Sequence, residues 1–167
     1  MLETETSKQD WDAFLKWEKD KHDNFFVPYY KENGFELIKD FVGINWHWDV
    51  EIKKDDKILR VDEKARQREY DDFLVEVFQC LKTGKIGWLY KPKDIYFYAS
   101  WEIMSGSTAI DPPNSAYWIN SHRLIDFVVE NFDDLESVIS EKGYGLTYNK
   151  KAKWDDLIYL KIAQKIL

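Results

Sequence analysis

Two aspartates and a lysine on consecutive predicted strands are the residues whose types and spacing could do chemistry. Asp49 precedes one run of alternating apolar residues, and Asp62 and Lys64 lie in the next run, "ILRVDEKA". Converging carboxylates are the ligands that a hard divalent cation such as Mg²⁺ prefers. A lysine beside such a cation can orient or deprotonate water, or stabilise charge that develops on a phosphate. The pattern fits metal-dependent phosphoryl chemistry if the three side chains face one another.

A predicted hairpin puts these three side chains on one face. The turn-forming stretch Lys54-Asp55-Asp56-Lys57 separates the two runs, and a hairpin symmetric about its centre sets Asp49 opposite Asp62, with Lys64 on the same face. Like charges directly opposite each other destabilise an ordinary solvated sheet, so the arrangement favours a cation site. A charged hairpin without a metal is the alternative. The apolar and charged pairs that this register creates are Val50–Val61, Ile52–Leu59 and Glu51–Arg60.

The acid–x–Lys pattern is not specific by itself, because 33% of the chain is charged. It also occurs in Glu51-Ile52-Lys53 and Asp55-Asp56-Lys57. The second copy lies in the turn, where strand geometry fails. The first copy would need an upstream acid such as Asp40, for which no equally consistent hairpin register exists. The hairpin context therefore selects Asp62 and Lys64.

Asp49 followed by Asp62-Glu63-Lys64 resembles the PD-(D/E)XK motif of the restriction-endonuclease-like nuclease superfamily. The stretches "VDEKA" and "FLVEVF" and the Gly87-Trp88 pair are similar to small phage and bacterial members, and the resemblance covers about residues 8–102. Trp48 stands where the motif name has proline.

The resemblance implies a fold, a reaction and roles for these residues. The fold would be α/β (α+β), with an αβββαβ core and a central mixed sheet flanked by helices. Asp49, Asp62 and Lys64 would be catalytic. Asp49, Asp62 and the backbone carbonyl of Glu63 would hold Mg²⁺ or Mn²⁺. The reaction would be hydrolysis of phosphodiester bonds in nucleic acid, with DNA favoured over RNA.

Two further acids are candidates for the same site. Glu18 lies on the apolar stripe of the first predicted helix, where the alternative is the rim of the core. Glu76 lies inside an otherwise apolar predicted strand, where the alternative is a solvent-facing position.

Basic residues near these acids suit contact with nucleic acid. Arg66 and Arg68 keep the alternation of Asp62 and Lys64, so they would extend a basic track suited to phosphates. Lysines near Trp88 add charge beside an aromatic ring, a mixture typical of nucleic-acid surfaces, although a solvated surface is the simpler interpretation. We expect Arg66 to form a positive rim with some of Lys82, Lys85, Lys91 and Lys93.

The remaining pattern predicts a helix, three strands and then mixed helices and strands. The segment 72–80 would be the third strand of the core. The three scattered histidines, His22, His47 and His122, are predicted to be structural; for His47, which falls opposite Lys64 in the hairpin register, a place near the site is the alternative. The predicted elements are a helix over 8–26 with Ser7 as N-cap, strands within 35–66 and over 72–80 and 94–101, helices from about 116 to 130 and over 133–141, a strand over 143–148, and a helix or turn over 154–166.

The length of 167 residues suits one domain, and the resemblance implies that this single domain, residues 1–167, is nuclease-like. The chain has a single cysteine and an aromatic content of 17%. No signal-like start or long apolar run is present, which predicts a cytoplasmic protein with no membrane contact. The net charge of -7 argues mildly against nucleic acid. Together with the aromatic surplus it favours the alternative of a non-catalytic nuclease-like module that binds a protein partner. Many nucleases of this kind act as dimers, so a homodimer is compatible with the resemblance.

The facing aspartates also predict an effect on stability. If Asp49 and Asp62 only repel each other in the absence of metal, Asp62→Asn should leave the metal-free protein as stable or slightly more stable.

Overall fold

The computed structural model describes residues 5–44, 47–102, 112–142 and 145–167, with side chains from Trp11 onward. In these ranges no helix is both long and apolar enough to cross a membrane. The helices are α1 (Glu5–Lys21), α2 (Val27–Glu32), α3 (Ser121–Glu130) and α4 (Trp154–Tyr159), with a π-helical turn at His22–Phe26 and a 3-10 turn at Trp88–Tyr90. The strands are β1 (Glu36–Asp40), β2 (Val50–Lys54), β3 (Lys57–Arg66), β4 (Asp72–Cys80), β5 (Lys85–Ile86), β6 (Ile95–Ser100), β7 (Ser115–Asn120), β8 (Ser137–Lys142), β9 (Gly145–Lys153) and β10 (Ala163–Lys165).

The main sheet is mixed. Its strand order is β1-β2-β3-β6-β7-β10, and β3 and β6 are parallel while the other neighbours are antiparallel. The predicted α+β class with a mixed sheet is therefore confirmed. The β2–β3 hairpin has the predicted register: its ladder pairs Val50 with Val61, Ile52 with Leu59 and Glu51 with Arg60.

The predicted third strand lies in a different sheet. Residues 72–80 do form β4, but β4 pairs with β9 and β5 in a second sheet of order β5-β4-β9-β8. Its buried residues Phe73, Val75 and Val77 pack against the main sheet, so β4 stacks on that sheet instead of extending it. The whole connection 67–94 between β3 and β6 is described, and it contains β4, β5 and the 3-10 turn where the αβββαβ order has a helix.

The helix predicted from about 116 to 130 is confirmed as α3 but begins later, and the helix predicted over 133–141 is wrong. Residues 115–120 form β7, because Asn120 ends the strand and caps α3 by accepting a hydrogen bond from the backbone N–H of Arg123 at 3.0 Å. Residues 137–142 form β8, because this segment pairs with β9. The expected strand over 143–148 begins later and is longer, and the C-terminal segment contains both α4 and β10.

Side-chain alternation in β3 separates two packed layers. Val61 and Ala65 are buried with Phe26 and Tyr30 on the face that α1, the π-helical turn and α2 cover. The opposite face of the sheet carries Tyr96 and Tyr98, which pack with Phe73, α3 and α4. A helix layer thus lies on one face, and the second sheet with two helices lies on the other, which differs from a central sheet flanked by helices alone.

Gly87 is required where the 3-10 turn meets β4. Its N–H donates to the Val77 carbonyl at 2.8 Å, and a Cβ at this position would overlap the backbone carbonyl of Glu76. Because backbone on both sides would have to move, we expect Gly87→Ala to lower the free energy of unfolding by about 1–3 kcal/mol, measured by urea denaturation. Ile86→Ala, at an exposed neighbouring side chain, is the control and should change stability little. Equal stability of Gly87→Ala and the wild type would contradict the packing.

Candidate functional site at a strand edge

Among the described residues, the C-terminal half of β3 has one open edge, because β2 begins only at Val50. The Arg60 and Arg66 carbonyls accept hydrogen bonds from Asp94 and Trp101, at 2.9 and 2.8 Å, so the even-numbered residues of β3 direct their backbone toward β6. In a strand beside a parallel neighbour, the N–H and C=O groups of successive residues point to opposite edges of the strand. The backbone N–H and carbonyl of Glu63 therefore point to the open edge. There the Asp49 Oδ2 atom accepts a hydrogen bond from the Glu63 N–H at 2.6 Å. The Asp49 carboxylate and the Glu63 carbonyl therefore meet at one edge.

Asp62 is buried and bound by two lysines. Lys64 Nζ lies 2.7 Å from Asp62 Oδ1, and Lys93 Nζ lies 2.9 Å from Asp62 Oδ2. Burial alone would raise the pKa of Asp62, but the two ammonium groups outweigh it and hold the pKa below its usual range. The Asp62 carboxylate is therefore ionised and held in place by two ammonium groups.

Asp49, Asp62 and Lys64 line one cavity of about 150 Å³, which we call the strand-edge cavity. Glu18 and Glu63 also line it, beside apolar residues of the helix layer and the β1–β2 connection. The pKa of Asp49 lies well above its usual range because the carboxyl is buried and because Asp62 is negatively charged nearby. The fold thus brings together the three residues that the hairpin pattern selected.

The two additional acids have different positions. Glu18 reaches the strand-edge cavity from α1, and burial raises its pKa despite the opposing charges of Lys64 and Arg66. Glu76 lies in β4 of the second sheet, paired with Asn149, and does not line the cavity.

Lys93 is a member of this cluster that the sequence reasoning placed only on a surface rim. Its side chain is 0% exposed, and its Nζ also donates to the Trp88 carbonyl at 2.6 Å. Burial lowers the pKa of Lys93 to about 8, although Asp62 acts in the opposite direction. The parallel pairing of β6 with β3 brings Lys93 beside Asp62. The local sequence pattern does not predict that pairing.

A buried network anchors β3 from the helix side. The Glu63 carboxylate lies 2.7 Å from His22 Nδ1 and accepts a hydrogen bond from the Tyr30 hydroxyl at 2.9 Å. His22 Nε2 lies 3.1 Å from Asp40 Oδ2. Since both ring nitrogens face carboxylate oxygens, the doubly protonated imidazolium satisfies the network. Burial would lower the pKa of His22, but Glu63 and Asp40 outweigh it and raise the pKa.

We expect His22→Ala to lower the free energy of unfolding by about 3 kcal/mol, because it leaves buried Glu63 without its cation. Since the pKa is raised on folding from an ordinary value of 6.5, this stabilisation is full below that value and is lost as pH rises through the folded pKa. Urea denaturation measures the difference in free energy of unfolding between wild type and variant. This difference should be larger at a pH just below 6.5 than at alkaline pH. His122→Ala, at a mostly exposed ring, is the matched control. A pH-independent difference would contradict the charged state of His22.

The predicted nucleic-acid residues divide into two pairs. The charge of Arg66 lies close enough to Glu18 to lower the pKa of Glu18. The charge of Lys91 lies close enough to Lys93 to lower the pKa of Lys93. Arg68 is exposed in the loop after β3, and Lys85 is exposed in the edge strand β5. None of these four residues lines the strand-edge cavity itself.

The Asp49 and Asp62 carboxylates and the Glu63 carbonyl suit a hard cation, because such a cation prefers oxygen ligands. Over the described parts of the chain, however, no three His, Cys, Asp or Glu residues form a ready-made metal site. Both Asp62 oxygens are bound by lysines, so a cation would compete with an ammonium group for Asp62.

The fold and the cluster define an α+β protein with a mixed sheet and a buried carboxylate–lysine site at a strand edge. Comparison of the chain with protein-family models, with curated proteins and with solved structures found no match. The function must therefore be argued from the site itself.

Proposed function

We propose that this protein hydrolyses phosphodiester bonds of nucleic acid, DNA in preference to RNA, in a reaction that depends on Mg²⁺ or Mn²⁺. The observation that carries the proposal is the joint position of Asp49, Asp62 and Lys64 around one cavity. A restriction-endonuclease-like core, a cytoplasmic location and a homodimer belong to the same proposal.

Three oxygen donors would hold the cation: the carboxylates of Asp49 and Asp62 and the carbonyl of Glu63. The Asp49 carboxylate and the Glu63 carbonyl share the open edge of β3, and Asp62 lines the same cavity. When bound, the cation supplies Lewis-acid polarisation of the phosphate and acidification of a water molecule.

The protein's own groups would orient the substrate. The Lys64 side chain is 18% exposed, so its ammonium can donate to a non-bridging phosphate oxygen and stabilise developing charge. The Glu63 side chain, held by His22 and Tyr30, keeps the backbone at the open edge in place. Arg66 and Lys91 would contact phosphates on either side, which should make binding weaken as salt rises.

Cation binding should depend on pH through Asp49. The raised pKa of Asp49 means that its proton is retained at pH values where an ordinary aspartate is ionised. A cation replaces that proton, so we expect Mg²⁺ to bind more tightly as pH rises through the pKa of Asp49, with proton release. Titration calorimetry in buffers of different ionisation enthalpy measures both effects. Affinity that is flat with pH, with no proton release, would exclude Asp49 as a ligand.

Mixed single- and double-stranded DNA and RNA, incubated with Mg²⁺, Mn²⁺ or a chelator, test the activity. Cleavage that needs the cation is expected, with faster turnover of DNA. If millimolar Mg²⁺ or Mn²⁺ neither raises the melting temperature of the wild type nor supports cleavage, the nuclease proposal fails.

A second candidate is a non-catalytic nuclease-like module that binds a protein partner. The two lysines on Asp62 favour it, because they complete an ion-pair cluster without any metal. The net charge of -7 also opposes nucleic-acid binding. This candidate predicts no cleavage and no cation-dependent stabilisation in the same assays.

A further inference from the structure

We propose that the two lysines on Asp62 have different roles. Lys93 is a permanent counter-ion that fixes the carboxylate, and Lys64 is the lysine that leaves when a divalent cation binds. This inference rests on the cation site proposed above and makes Lys93 a positioning residue of that site.

Lys93 has little freedom to move. Its side chain is 0% exposed, and its Nζ donates to both Asp62 Oδ2, at 2.9 Å, and the Trp88 carbonyl, at 2.6 Å. The ammonium lies 5.7 Å from the ring centroid of Trp88 and 4.5 Å from that of Tyr96, within cation–π range. If Lys93 left this position, the buried Asp62 carboxylate would lose the ammonium group on Oδ2.

The backbone around Lys93 is also tied down. Asp94 N–H donates to the Arg60 carbonyl at 2.9 Å, and the Asp94 carboxylate accepts from the Arg60 N–H at 2.8 Å. The Trp88 carbonyl also accepts from the Tyr96 hydroxyl at 3.2 Å. Lys93 is therefore held to β3 and to the 3-10 turn at once.

Lys64 is held more loosely. Its side chain is 18% exposed and lines the strand-edge cavity, and its ammonium is 2.7 Å from Asp62 Oδ1. The Trp88 ring centroid lies 5.2 Å from the same ammonium. A lysine that leaves Asp62 from this position moves into the cavity and toward solvent, where its charge stays hydrated.

The asymmetry has a consequence for the carboxylate. While Lys93 holds Oδ2, departure of Lys64 frees only Oδ1, and Asp62 keeps its orientation. The released Lys64 ammonium is then available to a phosphate. Without Lys93, Lys64 is the one lysine of the described residues that still pairs with Asp62, and it would stay there.

Lysine acetylation followed by mass spectrometry tests the exchange in the wild-type protein without substrate. Samples contain Mg²⁺, Mn²⁺ or a chelator, and calorimetry with the metal alone establishes whether it binds. We expect the acetylation rate of Lys64 to rise several-fold with metal, while Lys93 stays protected. Lys150 is the matched control, because it is also buried and its Nζ donates to the Leu135 carbonyl at 3.0 Å in the second sheet. Its rate reports any general opening of the fold.

Lys93→Met separates positioning from a merely structural role. We expect the variant to lose the metal-dependent gain in Lys64 acetylation, because Lys64 then stays on Asp62. A structural role alone would lower the melting temperature and leave that gain intact, which would overturn the inference. If the variant does not fold, the wild-type rates decide.

Two outcomes distinguish this inference from the proposed function. If metal binds but Lys93 becomes reactive while Lys64 does not, the assignment of the two lysines is overturned and the cation site stands. If calorimetry detects no metal binding, the cation site and the lysine exchange both fail.

Discussion

Asp62→Asn is expected to destabilise the metal-free protein by about 3–5 kcal/mol and to abolish cation-dependent cleavage. The substitution removes the one carboxylate that Lys64 and Lys93 share, and the Lys93 side chain is 0% exposed. A buried ammonium without its partner accounts for most of the expected loss. The cation also loses an anionic ligand. The hairpin pattern alone predicts the opposite effect on stability, because it shows the facing aspartates without the lysines.

Asp49→Asn is the matched control. The raised pKa of Asp49 means that its metal-free stabilisation is full below the ordinary value of 3.8 and is lost as pH rises through the folded pKa. An asparagine avoids that loss and can still accept the hydrogen bond from the Glu63 N–H. Urea denaturation at neutral pH without metal should therefore show Asp49→Asn as stable as the wild type or more so, while cleavage is lost. Greater destabilisation by Asp49→Asn than by Asp62→Asn would contradict this charge assignment.

Lys64→Met is expected to reduce cleavage by about 10²–10³-fold while it preserves cation binding. The methionine keeps most of the side-chain volume but cannot donate to a phosphate. Lys93 still neutralises Asp62, so the free energy of unfolding should fall less than in Asp62→Asn. Initial cleavage rates under saturating Mg²⁺, together with calorimetry of metal binding, make the measurement.

Lys57→Met is the control for Lys64→Met, because Lys57 is an exposed lysine at the start of the same strand. It should cleave as the wild type does. If Lys64→Met retains wild-type rates, Lys64 is not catalytic, and the motif interpretation fails even if the protein is a nuclease.

The hairpin that carries the candidate site was predictable from local patterns. Val50, Ile52, Leu59 and Val61 alternate with charged residues, and a slip of one residue would move them to the opposite face. The register in turn places Asp49 near Asp62 and puts Lys64 on the same face. These relations depend on residues close in the chain, which a linear pattern records.

Contacts between distant segments required the tertiary structure. The apolar alternation of 72–80 predicts a strand but not its neighbour, and packing placed β4 in the second sheet. Lys93 meets Asp62 only because β6 runs parallel to β3, and His22 meets Glu63 only because the first helices cover that face. Alternation fixes which face a side chain occupies, whereas its partner across the fold depends on how sheets and helices bury their apolar faces together. Local sequence therefore determined the carboxylate pair, and the packing of distant elements decided which cations neutralise it.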